Sequence, residues 1–238
     1  MGGADADSAS ESSLFFSSLG ANLGVSKMAR GYLHSVISLS DNSVWGFGHN
    51  SGGQLGDGTT IDRSVPVPIN ITNVQEIVTG SLHTVFLLQD GRIFATGKNQ
   101  DGQLGDGTND DKTVPTDTAI QDVVDVAAGS THTVFLHSDG SVSATGSNWA
   151  GQLGVTSASL ASTATPVVVR AAGVLPAVSS VVCGLHHTML LLDDGTVEAA
   201  GWNRDGQLAG GSAFESFVES FTSIDLSNVL EISAGESH

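Results

Sequence analysis

The sequence predicts an all-β chain, a β-propeller of about four blades plus the start of a fifth, forming an incomplete ring. Two periodic signals and one local signal carry that prediction. The phrase Gly-x-Asn-x-x-Gly-Gln-Leu occurs four times, at residues 48–55, 97–104, 146–153 and 201–208. A Gly-x-x-His step precedes each copy, and His34, His83, His132, His187 and His238 stand 49, 49, 55 and 51 residues apart. A near-constant period of that size marks one supersecondary unit repeated along the chain. The local signal is Asp-Gly at 90–91, 139–140 and 194–195, with Asp41-Asn42 in the first copy. Between β-rich runs, Asp-Gly is a strong hairpin signal because the turn needs positive φ.

The elements follow in a fixed order within each unit. An apolar run ending in Gly comes first, at residues 74–80, 123–129, 178–184 and 229–235. The histidine then opens a second apolar run, such as His83 to Leu88, and the Asp-Gly turn returns the chain into a third, such as Arg92 to Gly97. The Gly-x-Asn phrase and a polar loop follow. A segment marked by Pro66, Pro115 or Pro166 supplies an edge strand, where proline is tolerated. Four short antiparallel strands in about 50 residues cannot bury both faces alone, so such units stack, and radial repetition is the usual all-β solution. The blades are predicted at 24–73, 74–122, 123–177 and 178–228, with a partial one at 229–238. Residues 1–23 form an acidic, Ser-rich segment. Within it, Phe16 to Asn22 mimics Val44 to Asn50, which reads either as a latching strand over 14–22 or as chance similarity.

Residues that recur in every unit are read as scaffold. Asn50, Asn99, Asn148 and Asn203 are expected to tie the turn together through side-chain to backbone hydrogen bonds. Leu55, Leu104, Leu153 and Leu208 are expected to plug the gaps between blades. The repeated His34, His83, His132 and His187 invite a metal reading, which geometry opposes. Ligands of one zinc sit about 2.0–2.1 Å from the ion, whereas blade-related positions fan around an axis. Neutral buried imidazoles donating to backbone are expected instead, and no metal or cofactor is called for.

Composition excludes several function classes. The 8 Lys and Arg against 25 Asp and Glu give a formal charge of −17, which repels phosphate backbones and speaks against nucleic-acid binding. The one cysteine, Cys183, excludes an internal disulfide and fits a reducing compartment, so a cytoplasmic or nuclear location is expected. No stretch approaches the roughly 20 apolar residues of a membrane span. Neither a Gly-x-Ser-x-Gly elbow nor a phosphate-binding Gly-x-x-x-x-Gly-Lys loop appears, and an enzyme is not expected. Asp106 to Asp111 resembles a calcium loop only in composition, because the Asp-x-Asp-x-Asp-Gly order is missing.

Taken together, Gly-x-x-His-Thr, Asp-Gly and Gly-x-Asn-x-x-Gly-Gln-Leu-Gly resemble the repeat of the regulator of chromosome condensation family over residues 24–238. The resemblance implies a propeller, usually of seven blades. Relatives include an exchange factor for the small GTPase Ran, a plant ultraviolet-B photoreceptor and modules of large ubiquitin ligases. One scaffold hosts many functions, so the repeat identifies fold far better than activity. Seven blades need about 350 residues, and an exposed blade face would cost on the order of 10 kcal/mol, so the chain is expected to be part of a longer ring. The photoreceptor reading asks for clustered tryptophans, and Trp45, Trp149 and Trp202 occupy three different repeat positions. No residue matches the exchange factor's GTPase contacts position by position.

Positions that vary between units are where function is sought. Around Asn50, Asn99, Asn148 and Asn203 the flanking pairs are His49/Ser51, Lys98/Gln100, Ser147/Trp149 and Trp202/Arg204. A scaffold needs neither Trp nor Arg there, and both are enriched at binding hot spots. Lys98, Trp149, Trp202 and Arg204 are therefore candidate partner-binding residues, the competing reading being that the tryptophans lean on a neighbouring blade. Three functions are carried forward. The first is a non-enzymatic scaffold binding a protein partner. The second is a guanine-nucleotide exchange factor for a small Ran-like GTPase, and the third is the propeller module of a larger ubiquitin ligase.

Overall fold

The computed structural model describes residues 24–158, 160–208 and 216–238; the candidate strand over 14–22 lies outside them. Sixteen strands are formed by the described residues, and they pair into four sheets of four with no helix among them. The first sheet holds β1 (Val25–Arg30), β2 (His34–Leu39), β3 (Val44–Gly48) and β4 (Arg63–Ile69). The second holds β5 (Val74–Thr79), β6 (His83–Leu88), β7 (Ile93–Gly97) and β8 (Lys112–Asp117). The third holds β9 (Val123–Ala128), β10 (His132–His137), β11 (Val142–Ser147) and β12 (Ser162–Arg170). The fourth holds β13 (Val178–Cys183), β14 (His187–Leu192), β15 (Val197–Trp202) and β16 (Phe217–Ile224). Each sheet is an antiparallel meander in chain order, so every blade is built from one contiguous stretch.

The first strands β1, β5, β9 and β13 approach one another in succession, which makes them the inner edge of the arc. Glycine makes that approach possible. A Cβ on Gly80 would stand 2.4 Å from the carbonyl oxygen of Gly129 in the next blade, and one on Gly129 would stand 2.6 Å from that of Gly184. No side chain fits at either separation.

The hairpins between second and third strands follow a three-residue plan rather than a two-residue one. Gly91 donates its N–H to Leu88 O, Leu88 donates to Arg92 O, and positive φ falls on Gly91 (81°), Gly140 (82°) and Gly195 (79°). Asn42 takes the same place at φ 66°. The preceding aspartates serve as acceptors: Asp139 Oδ1 takes the Ser141 N–H and hydroxyl at 2.9 and 2.7 Å.

The apolar core lies in the seams between blades. Ala29, Val36, Val44 and Ile69 of the first blade pack with Ile77, Phe86 and Leu88 of the second. Val85, Leu87, Ile93 and Leu104 pack with Val123, Val126 and Phe135 across the next seam. Val134, Leu136, Val142 and Leu153 pack with Val178, Val181 and Leu190 across the third. Leu208 packs within the fourth blade against Val197, Ala199 and Ile224, joined by Val229 and Ile232. Burying one such leucine fully contributes about 1.5–3 kcal/mol, so Leu104 and Leu153, at 1% and 0% exposure, are seam fasteners.

Candidate functional site

The Gly-x-Asn turns leave every sheet at the end of its third strand and pack beside the loop between its first two strands. The residue after the glycine fixes that arrangement in each blade. His49, Lys98, Ser147 and Trp202 donate their N–H groups to Leu33, Leu82, Thr131 and His186 carbonyls, each at 2.8 Å. These turns therefore emerge together on one face of the arc, opposite the Asp-Gly hairpins.

The asparagines build the turns from within. Asn99 Oδ1 accepts the Leu104 N–H at 3.0 Å, while Nδ2 donates to Asp106 Oδ1 and to the Thr108 carbonyl at 3.0 and 2.9 Å. Asn50 repeats the set with Leu55, Asp57 and Thr59. Asn148 bonds Leu153, Val155 and Leu160, and Asn203 Oδ1 accepts from Leu208. Burial pushes the Asp106 carboxyl upward, but bonds from Thr108, Lys112 and Asn99 outweigh it and hold the group below its usual range. The aspartates of these loops are thus consumed internally. No cluster of three potential metal ligands occurs among the described residues.

The histidines bind across the seams. His34 Nε2 lies 3.0 Å from Thr84 Oγ1, His83 Nε2 lies 3.1 Å from Thr133 Oγ1, and His132 Nε2 lies 3.1 Å from Thr188 Oγ1. Each threonine hydroxyl also donates, at 2.7 Å, to the carbonyl of Gln54, Gln103 or Gln152 in the histidine's own blade. A hydroxyl has one proton, so it must accept from the imidazole, which fixes the neutral Nε2–H tautomer. The expected donation to backbone is replaced by donation to a hydroxyl of the next blade. Burial, helped by neighbouring imidazoles, drives His83 and His132 down to about 3 and His34 to about 4. His187 is likewise lowered to about 4, by burial and then by His186 and His238.

The variable positions part company. Lys98 places its Nζ 2.6 Å from Asp111 Oδ2 and its stem beside Gly52, so it fastens the first seam and its own loop. Arg204 is exposed on the fourth turn. Trp149 and Trp202, from different blades, meet edge to face with ring centroids 5.4 Å apart. Phe217 joins them at 5.9 and 5.3 Å, and the His186 ring stands 5.1 Å from Trp149. The two tryptophans pack across a seam, and Trp149 remains 47% exposed. Beside them opens a cleft of about 300 Å³ whose walls include Trp149, His186, Trp202, Asp205, Gln207 and Glu236. A second concavity, about 400 Å³, follows the inner edge and is walled by Gly31, Gly80, Gly129 and Gly184.

Phe217 and His186 were not singled out by the sequence. Phe217 pairs with Trp202 across β15 and β16, on a strand whose register is interrupted by a bulge, so no alternation announces it. His186 stands where the other blades carry Leu33, Leu82 and Thr131, and that contrast was a usable signal.

One further constellation is assembled by the fold. Ser51 Oγ lies 2.7 Å from His49 Nε2, and His49 Nδ1 lies 3.2 Å from Asp62 Oδ1. The order is that of a hydrolytic triad, but an oxyanion site is not built beside it. The N–H groups of Gly52 and Gly53 already donate to Gln54 Oε1 and Asn50 O. Burial pushes the Cys183 thiol up to about 12, which favours its protonated form at neutral pH.

Two models of the regulator of chromosome condensation (RCC1) repeat match the chain, one over residues 41–87 and 90–136, the other over 74–103, 123–152 and 178–207. The chain belongs to the RCC1 repeat family. No curated protein sequence matches it. Among solved structures, the RCC1-type propeller Prp20p of Saccharomyces cerevisiae superposes with a TM-score of 0.77 at 23% identity, over 91% of this chain and 55% of that one. Human WBSCR16 gives 0.72 at 23% identity, over 85% of this chain and 52% of that one. The arc thus spans about half the length of these solved RCC1-type chains. The Prp20p structure is described with that protein's binding to Gsp1p and histones.

Proposed function

We propose that this RCC1-repeat arc is a protein-binding scaffold without chemistry of its own, and that it docks its partner on the face bearing the Gly-x-Asn turns. The observation that carries the proposal is the aromatic cluster of Trp149, Trp202, Phe217 and His186 on that face, with Trp149 left 47% exposed. Recurring residues are absorbed by seams and turns. An exposed Trp held rigid by edge-to-face neighbours is what remains, and such anchors dominate interface energetics. Of the four candidates, Trp149 and Trp202 form the centre of this surface and Arg204 its rim, whereas Lys98 is a seam residue. A reducing compartment belongs to the same proposal, because Cys183 is a half-buried free thiol. Proximity crosslinking from a probe on the turn face, with and without Trp149→Ala plus Trp202→Ala, tests it. The double variant should lose the crosslinked partner while keeping a cooperative unfolding transition. Retained crosslinking would reject the docking face.

A second reading is nucleotide exchange on a Ran-like GTPase, supported by the likeness to Prp20p, a protein that binds Gsp1p. A nucleotide-release assay over a panel of GTPases separates the two, since a pure scaffold leaves release rates unchanged.

A further inference from the structure

The cleft beside the tryptophans has a chemistry that the docking proposal leaves open. Its walls include two indoles, Trp149 and Trp202, one imidazole, His186, and two carboxylates, Asp205 and Glu236. Asp205 and Glu236 are both exposed. They come from different segments, one from the fourth Gly-x-Asn turn and one from the stretch after β16, so the pairing is made by the fold. The Glu236 backbone is held in place by the Leu185 N–H, which donates to its carbonyl at 3.0 Å. Arg204 shares the turn with Asp205 but does not line the cleft.

Ring faces carry the negative side of the aromatic quadrupole and attract a cation within about 6 Å, most strongly for Trp. The exposed carboxylates at the rim add Coulomb attraction, which salt screens. The imidazole does not oppose this, because burial lowers the His186 pKa and keeps the ring neutral near pH 7. The chain as a whole carries −17, which steers cationic partners toward it. An anionic or purely apolar ligand would have to place its surface against two carboxylates.

We infer that the cleft between Trp149, Trp202, Asp205 and Glu236 receives a lysine or arginine side chain from a basic segment of the partner. The inference rests on the docking-face reading and adds the chemical class of what docks. At about 300 Å³ the cleft matches one long side chain rather than a folded element.

The test uses the full chain with Trp45→Phe, so that fluorescence reports only Trp149 and Trp202. Capped peptides that differ at one central residue (lysine, arginine or Nε-acetyl-lysine) are titrated at low and at physiological salt. The lysine and arginine peptides should perturb the emission saturably, and the acetylated peptide should not. Asp205→Asn plus Glu236→Gln should weaken binding on the order of tenfold. Asp225→Asn plus Glu231→Gln makes the same charge change away from the cleft and should leave binding unaltered. Equal binding of the acetylated peptide, equal weakening by the control pair, or no saturable change with either cation overturns the inference. Because crosslinking of a whole partner is scored separately, its loss in the tryptophan variant together with failed peptide binding would keep the docking face and reject only the cationic class.

Discussion

His83 in the second blade donates its Nε2–H to Thr133 in the third, and Thr133 hands its own proton back to the Gln103 carbonyl of the second. Each seam is thereby closed by a three-group relay that leaves one blade, touches the next and returns. The relay sits at 0% exposure for His83 and Thr133. Its loss leaves a buried donor and a buried acceptor without partners.

Thr133→Val keeps the shape and removes the hydroxyl. Stranding both the imidazole N–H and the Gln103 carbonyl should cost roughly 2–4 kcal/mol. Thr133→Ser, which retains the hydroxyl, should cost about 1 kcal/mol for the lost methyl. Urea unfolding of the two variants decides the matter. Equal midpoints would mean that packing, and not the relay, holds the seam.

Glycine at the inner edge is required by space, not by backbone angle. A Cβ at Gly129 would stand 2.0 Å from His132 Cε1 and 2.6 Å from the Gly184 carbonyl oxygen, with the latter fixed in the next blade. Gly129→Ala should therefore cost more than about 3 kcal/mol or prevent folding. Gly107 has φ 77° and nothing within 4 Å of an added Cβ, so Gly107→Ala should cost only about 1–2 kcal/mol. Thermal melts of both rank them, and comparable losses would refute the close-approach account.

The buried imidazoles make stability fall in mild acid. Folded pKa values near 4 for His34 and near 3 for His83 and His132 lie below the unfolded value of 6.5. Between those limits the unfolded chain binds more protons, so their contribution is complete above pH 6.5 and is lost as pH falls toward 4 for His34 and toward 3 for His83 and His132. Each contributes a slope of up to about 1.4 kcal/mol per pH unit. Denaturant midpoints at pH 7.5 and pH 5 should drop steeply, and His83→Gln should flatten the dependence. A flat profile in the parent chain would contradict the burial of these rings.

Asn99→Asp removes both donations of Nδ2 and sets a second carboxylate beside Asp106, which already accepts from Thr108 and Lys112. A loss of about 3 kcal/mol or more is expected. Asn109→Asp, on the exposed rim of the same loop, loses one solvent-exposed donation to the Gln100 carbonyl and should cost about 1 kcal/mol or less. Parallel unfolding curves measure the contrast.

The architecture was legible because each blade repeats the same steric demands. Gly80 and Gly129, and the His83 and His132 that follow them, recur wherever inner strands meet, and the periodicity records that geometry directly. The aromatic cluster was legible only in part. Trp149 and Trp202 stood out as misfits to the repeat, but nothing in the one-dimensional pattern says that the fourth position of one turn faces the second position of the next. That offset is set by the rotation between neighbouring sheets. It also explains Lys98, which stands at the same turn position as Trp202 and reaches back over Gly52 as Trp202 reaches toward Trp149. Phe217 was hidden by the bulged register of the outer strand. The histidine partners were hidden because Thr84, Thr133 and Thr188 read locally as ordinary strand residues.

Since every sheet is threaded from one uninterrupted stretch and shares its seam core only with immediate neighbours, order in this molecule propagates stepwise. A lesion in the His83–Thr133 seam should loosen the second and third blades and leave more distant amide protons as slow to exchange as before. Such short-range cooperativity lets a loop within one blade change in length and chemistry without disturbing the remaining sheets.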